Sequence, residues 1–239
     1  MYLCWLYVVR FDMTHLKLLG EKGAAMDATH TRSDPAAMIR INEHAPGFTA
    51  RSTAGEVTLS GYKGRWLLFF SHPADFTSVC TSEFIALARA QPKFAQLNCD
   101  LLGLSVDSLY SHVAWLRDIE QSFGVTVTFP LIEDAAMVIA RAYGMLDTSS
   151  QNSGTVRATY VIDPEGIIRA IVWYPMNVGR SVEELLRLVE ALQTSDREAA
   201  LTPEGWHAGD PLVEPASSSL EEARQTADGQ SWYYRERRL

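Results

Sequence analysis

From Trp66 to Leu192, short apolar runs alternate with stretches of helical periodicity, and the series closes on a hairpin and one last helix. The run at Trp66–Phe70 ("WLLFF") reads as a strand, and "DLLGLSV" (100–106) is the continuous apolar pattern of a strand buried on both faces. Between them, Phe84, Leu87, Ala88 and Phe94 recur at helical spacing, with Pro92 a potential kink or break. A second helix is marked by Asp107 and Ser108 as candidate caps, a face of Leu109, Val113, Leu116 and Ile119, and a stop at Gly124. "FPLIED" followed by "AAMVIARAYG" repeats the strand-then-helix order. "VRATYVIDPEGIIRAIVWY" has two strand-like runs around the turn "DPEG", and "SVEELLRLVEALQ" opens on a capping box of Ser181 and Glu184. With a leading hairpin in "FTARSTAGEVTLSGYKG", this order predicts an α/β architecture: a mixed central sheet flanked by helices.

The ends have a different texture. Residues 1–37 lack sustained periodicity and read as a leader, flexible or preceding the natural start, since Met13, Met26 and Met38 follow. Residues 38–194 form the predicted domain, and 195–239 a C-terminal arm with Pro203, Pro211 and Pro215, a second capping box at Ser219 and Glu222, and the aromatic run Trp232–Tyr234. Such an arm is expected not to bury itself and to pack on a neighbouring subunit.

A formal charge of −8 argues against nucleic acid as a partner, because phosphate binding needs a clustered basic surface. "MYLCWLYVV" is too short to span a bilayer, so no membrane partner is expected. The three cysteines, Cys4, Cys80 and Cys99, show neither a paired framework nor metal-ligand spacing with histidine, which predicts no cofactor, no metal and a reducing, cytoplasmic location.

The stretch "SHPADFTSVCTSEF" (71–84) carries the chemistry. Pro73 breaks the chain after the strand, Thr77 is placed to cap the next helix, and Cys80 falls in its first turn, where free N–H groups and the helix dipole favour an anion. Bringing an ordinary thiol from about 8.5 to about 6 takes roughly 3.4 kcal/mol of anion stabilisation. A helix end supplies about 0.3–2 kcal/mol, so a cation must also converge on the sulfur. Arg157, at the start of a strand expected to face the core, is the candidate, with Cys80 and Glu83 as its anionic partners. Glu83 lies one turn after Cys80 on the same side, although a solvated helix acid is its plainer reading.

"PADFTSVC" fits the P-x-x-x-T-x-x-C signature of the peroxiredoxins, and with "YPMNVGRSVEELLRLVEALQ" the chain from about Ile39 onward resembles their one-cysteine, peroxiredoxin-six-like class. The resemblance implies a thioredoxin-like fold and a thiol-dependent peroxidase that reduces hydrogen peroxide and organic (alkyl) hydroperoxides. It implies Cys80 as the nucleophile, Pro73 shielding it, Thr77 hydrogen-bonding substrate and Arg157 activating thiolate and peroxide. Glu83 would orient Arg157, and His72 and Arg180 would be pocket residues; a structural histidine and a surface or interface salt bridge are their rival readings. The family further implies a homodimer, sometimes a decamer, and an external thiol reductant such as thioredoxin or glutathione.

Relatives usually carry cysteines in the arm; "DGQSWYYRERRL" has none, which favours a one-cysteine cycle. Cys99 reads as a packing cysteine, and His112 and His207 as structural or solvated. "LSGYKGRW" lacks a nucleophile elbow, so no lipase activity is expected. The non-enzymatic alternative is an oligomeric holdase chaperone or redox-signalling adaptor on the same fold.

Overall fold

The computed structural model describes residues 39–146, 154–226 and 231–238; the leader expectation (1–37) and Cys4 lie outside the described residues. The leading hairpin is β1 (Thr49–Ser52) and β2 (Gly55–Thr58). There follow β3 (Trp66–Ser71), α1 (Ser78–Gln96), β4 (Cys99–Ser105), α2 (Leu109–Phe123), β5 (Leu131–Glu133), α3 (Val138–Ala142), β6 (Arg157–Ile162), β7 (Ile168–Tyr174) and α4 (Val182–Glu198).

These strands form one mixed sheet in the order β2-β1-β5-β4-β3-β6-β7. The helical crossovers α1 and α2 make β3, β4 and β5 parallel, whereas β6 runs antiparallel to β3 with Phe70 opposite Thr159. That reversal sets the start of β6 beside the end of β3. Ser71 seals the junction: its Oγ donates to Val156 O at 2.6 Å and accepts from Ala158 N at 3.3 Å.

Alternation along β3 feeds two cores. Trp66, Leu68 and Phe70 pack with Phe84 and Leu87 of α1, Trp115 and Ile119 of α2, and Leu185 and Val189 of α4. Leu67 and Phe69 point the other way, to Leu102, Leu104, Ile132, Tyr143 and Tyr160. Both faces of the central strands are therefore largely dry, which is why Trp66–Phe70 and Leu101–Leu104 read as apolar runs.

Several local expectations change. Pro92 neither breaks nor ends α1, which continues to Gln96. The helix expected from residue 135 starts only at Val138, because the Asp134 carboxylate takes the N–H groups of Val138, Ile139 and Ala140. Each capping box is half formed. Ser181 Oγ accepts from Glu184 N, but the Glu184 carboxylate turns to Arg187; Ser219 Oγ accepts from Glu222 N, but Glu222 accepts from Ser218 N. The arm also begins later than expected, since α4 extends to Glu198, and its first part does bury itself: Trp206 and Leu212 pack with Ala191 and Ala200. Beyond that, β8 (Leu212–Val213) pairs with β9 (Glu236–Arg237), flanking α5 (Leu220–Arg224), and Leu220, Trp232, Tyr233 and Tyr234 stay exposed.

Candidate active site

Between β3 and α1 the chain makes a tight, buried connection. His72, Pro73 and Asp75 are buried; Phe76 is exposed and held at φ 54°, a strained conformation for an aromatic residue. Asp75 N donates to Asp107 Oδ2 at 3.0 Å, fixing this loop to the one after β4. Thr77 occupies the N-cap position, but its hydroxyl donates to Ala74 O at 2.8 Å and makes no cap bond, so the expected cap is replaced by a closed turn. Cys80 then sits in the first turn of α1, fully buried.

Arg157, the first residue of β6, reaches Cys80 because β6 starts where β3 ends. Its Nη1 donates to Cys80 Sγ at 3.3 Å and to Glu83 Oε2 at 2.8 Å, while Nε and Nη2 grip the carbonyl of Met176 at 3.0 and 2.7 Å. Glu83 is buried and is no solvated helix acid. It accepts from Arg180 N at 2.7 Å, Nε at 3.0 Å and Nη2 at 2.8 Å. Arg180 is 7% exposed, donates also to Ala158 O, and lies over the Phe70 ring, so the surface salt-bridge reading is corrected. Gly179 lets the chain pass close to α1 here: a Cβ there would lie a tight 3.3 Å from Val79 Cγ1, one residue before Cys80.

Burial alone would raise the Glu83 carboxyl; Arg180, then Arg157, outweigh it and hold it below the usual carboxylate range. The charge count follows. Two guanidiniums and one carboxylate leave a buried cluster one positive charge in excess beside the Cys80 sulfur.

His72 does not join these contacts. Its Nε2 meets Asp75 Oδ1 at 2.9 Å, and its ring packs against Phe84 and Trp115. Asp75 Oδ2 meets His112 Nδ1 at 2.8 Å, so one carboxylate from the loop joins the end of β3 to α2. His112 is fully buried and His207 exposed. Asp75 and this use of His112 were missed in the sequence; the available signal was an acid three residues after His72 inside an otherwise buried segment. His72, Asp75 and Asp107 lie close enough to suggest a cation, but both Asp75 oxygens already meet histidine rings and Asp107 Oδ2 already accepts from Ser105 Oγ and Asp75 N.

Burial would raise the Asp75 carboxyl, yet the bonds from His112 and His72 lower it from 3.8 to about 2. The unfolded chain thus binds a proton that the folded one refuses. The resulting stability, about 2 kcal/mol, is complete above roughly pH 5 and is lost as pH falls toward 2. Asp75→Asn is expected to flatten that acid limb in urea unfolding followed from about pH 5 to 2; an unchanged limb would refute the assignment.

Cys99 opens β4, buried, and burial raises its thiol to about 12, as suits a packing cysteine.

The model of the AhpC/TSA family matches residues 41–171. The chain belongs to that family, the peroxiredoxins. It is 44% identical over 197 residues to "Peroxiredoxin 2" of Picrophilus torridus, covering 82% of this chain and 97% of that protein. Among solved structures, the yeast mitochondrial 1-Cys peroxiredoxin, described with a thiol-resolving mechanism via glutathione/thioredoxin systems, matches at TM-score 0.76 and 38% identity, over 84% of this chain and all of that one. The reduced 2-Cys peroxiredoxin of Plasmodium vivax matches at TM-score 0.67 and 32% identity, over 72% and 92%. As a peroxiredoxin, the chain has the thioredoxin-like architecture and the thiol-dependent peroxidase activity of the family, with peroxide as oxidant and a thiol as reductant. Among the described residues, no helix is long and apolar enough to cross a membrane.

Proposed function

We propose a one-cysteine cycle in which Cys80 is the peroxidatic nucleophile. The thiolate attacks the terminal oxygen of hydrogen peroxide or an alkyl hydroperoxide; an S–O bond forms as the O–O bond breaks. Cys80 leaves as the sulfenic acid, and the departing alkoxide or hydroxide takes the proton given up when the thiol ionised. Arg157 stabilises both the thiolate and the charge growing on the leaving oxygen, Thr77, whose proton goes to Ala74 O, offers its hydroxyl oxygen as acceptor for the peroxide O–H, and Pro73 shields the sulfur. Glu83 orients Arg157, and Arg180 orients Glu83. One external thiol then forms a mixed disulfide with release of water, and a second restores Cys80.

The observation that carries this reading is the 3.3 Å contact of Arg157 Nη1 with Cys80 Sγ inside a cluster short of one negative charge. The one-cysteine assignment is supported by the buried, high-pKa Cys99 and by the absence of cysteine from the arm. The exposed Leu220, Trp232, Tyr233 and Tyr234 support an arm that covers a second copy in a homodimer, and the cysteine usage supports the cytoplasm.

Stopped-flow oxidation of Cys80 by hydrogen peroxide, with Cys80→Ser as the blank, is expected to exceed that of free cysteine by roughly 10²–10³-fold or more. A rate no faster than free cysteine would leave the chaperone or adaptor reading instead. Turnover with thioredoxin and with glutathione identifies the reductant, and sedimentation of the same sample at micromolar concentration should give a dimer; a persistent intramolecular disulfide or a monomer would refute the corresponding part.

A further inference from the structure

The chemistry proposed at Cys80 makes no use of His112, yet the hydrogen bonds around that ring dictate where its protons sit. His112 Nε2 faces the carbonyl oxygen of Ile132 at 3.1 Å. A carbonyl only accepts, so Nε2 bears a proton. Nδ1 faces Asp75 Oδ2 at 2.8 Å, and an ionised carboxylate also only accepts. A second proton must therefore lie between them, on the ring or on the acid. The Asp75 carboxyl is lowered to about 2 and is therefore ionised at neutral pH, and with the 2.8 Å contact this puts that proton on the ring.

The count continues to His72. Its Nε2 faces the other Asp75 oxygen at 2.9 Å and must donate. Burial disfavours a charge on this ring, so a second proton is refused, and among the described residues Nδ1 has no hydrogen-bond partner.

We propose that His112 carries protons on both ring nitrogens and, through Asp75, fixes His72 as the Nε2–H tautomer with a bare Nδ1. His112 is thus a positioning residue for the loop that leads to Cys80. Its ion pair with Asp75 pins that loop to α2, and it sets the protonation of a ring lying 4.9 Å from Phe84, one turn along α1 from Cys80. The other charged groups near these rings fit the count. Asp107 faces His72, and Glu133, held below its ordinary range by Leu109 N–H and Arg51, faces His112.

The proton assignment stands without the peroxidase reading; only its kinetic consequence rests on it. The test is the ring-nitrogen NMR spectrum of the full, reduced chain with labelled histidine at neutral pH, assigned by the signals lost in His72→Gln and His112→Gln. His112 is expected to show two protonated nitrogens, and His72 one protonated Nε2 and one pyridine-type Nδ1. A pyridine-type nitrogen on His112, or a proton on Nδ1 of His72, overturns the proposal.

In the kinetic arm, His112→Phe is expected to slow Cys80 oxidation by hydrogen peroxide roughly tenfold, and His112→Gln, whose amide still donates to Asp75, to recover most of the loss. Equal rates in wild type and both variants would overturn the positioning role. If the wild type showed no fast oxidation, the peroxidase reading would fail while the spectrum still decided the protons.

Discussion

Arg157→Met is expected to slow oxidation of Cys80 by hydrogen peroxide about 10³-fold while leaving the fold in place. Arg157 supplies the donor 3.3 Å from the sulfur and, with Arg180, the positive charge that the proposed thiolate would balance. Without it, Glu83 and Arg180 neutralise each other, and a thiolate at Cys80 becomes an uncompensated buried charge. The leaving oxygen loses the same guanidinium in the transition state, so ground-state ionisation and bond breaking both suffer. The fold survives because Glu83 keeps three donors from Arg180, and Met176, whose carbonyl loses two, lies on a loop open to solvent. Arg157→Lys should fall between the two: the charge remains, but one ammonium cannot serve Sγ, Glu83 and Met176 together. The second-order rate constant from stopped-flow measurement checks this. A loss of less than about tenfold in Arg157→Met would remove the guanidinium from the centre of the mechanism.

What the sequence disclosed, and what it withheld, follows from how local each feature is. Cys80 in a first helical turn was legible because a strand, a proline and a cap-type residue precede it within one short stretch. Arg157 was legible as a charge on a strand that has to be buried, but its meeting with Cys80, 77 residues away, depends on β6 running antiparallel beside β3. Residue types suggested that pairing; spacing did not. Thr77 shows the reverse. Its identity fits a cap, yet its hydroxyl donates to Ala74 O and its oxygen accepts no helix N–H. The Asp75–His112 pair left no periodic trace, because it forms only when the loops after β3 and β4 pack together. The arm was misjudged in part because Trp206 finds its cover on α4, a contact that composition does not reveal.

Glu83→Ala is expected to be the most destabilising single change in the site, by about 3–5 kcal/mol, because it leaves two buried guanidiniums without their shared carboxylate. For a domain of this size that is a fall of roughly 10 °C or more in Tm. Glu83→Gln keeps an acceptor for part of the N–H array and should lose less. Circular dichroism melts at neutral pH provide the measurement, and a loss under about 1 kcal/mol for Glu83→Ala would mean that water reaches the arginines. The charge count adds a sharper expectation. With Glu83 gone, a thiolate at Cys80 would be the one anion among the described residues in contact with Arg157, so adding Cys80→Ser should destabilise Glu83→Ala by more than it destabilises the wild type. In the intact cluster a thiolate there would meet a single excess charge; in the truncated one it would be the counter-ion that Arg157 has left.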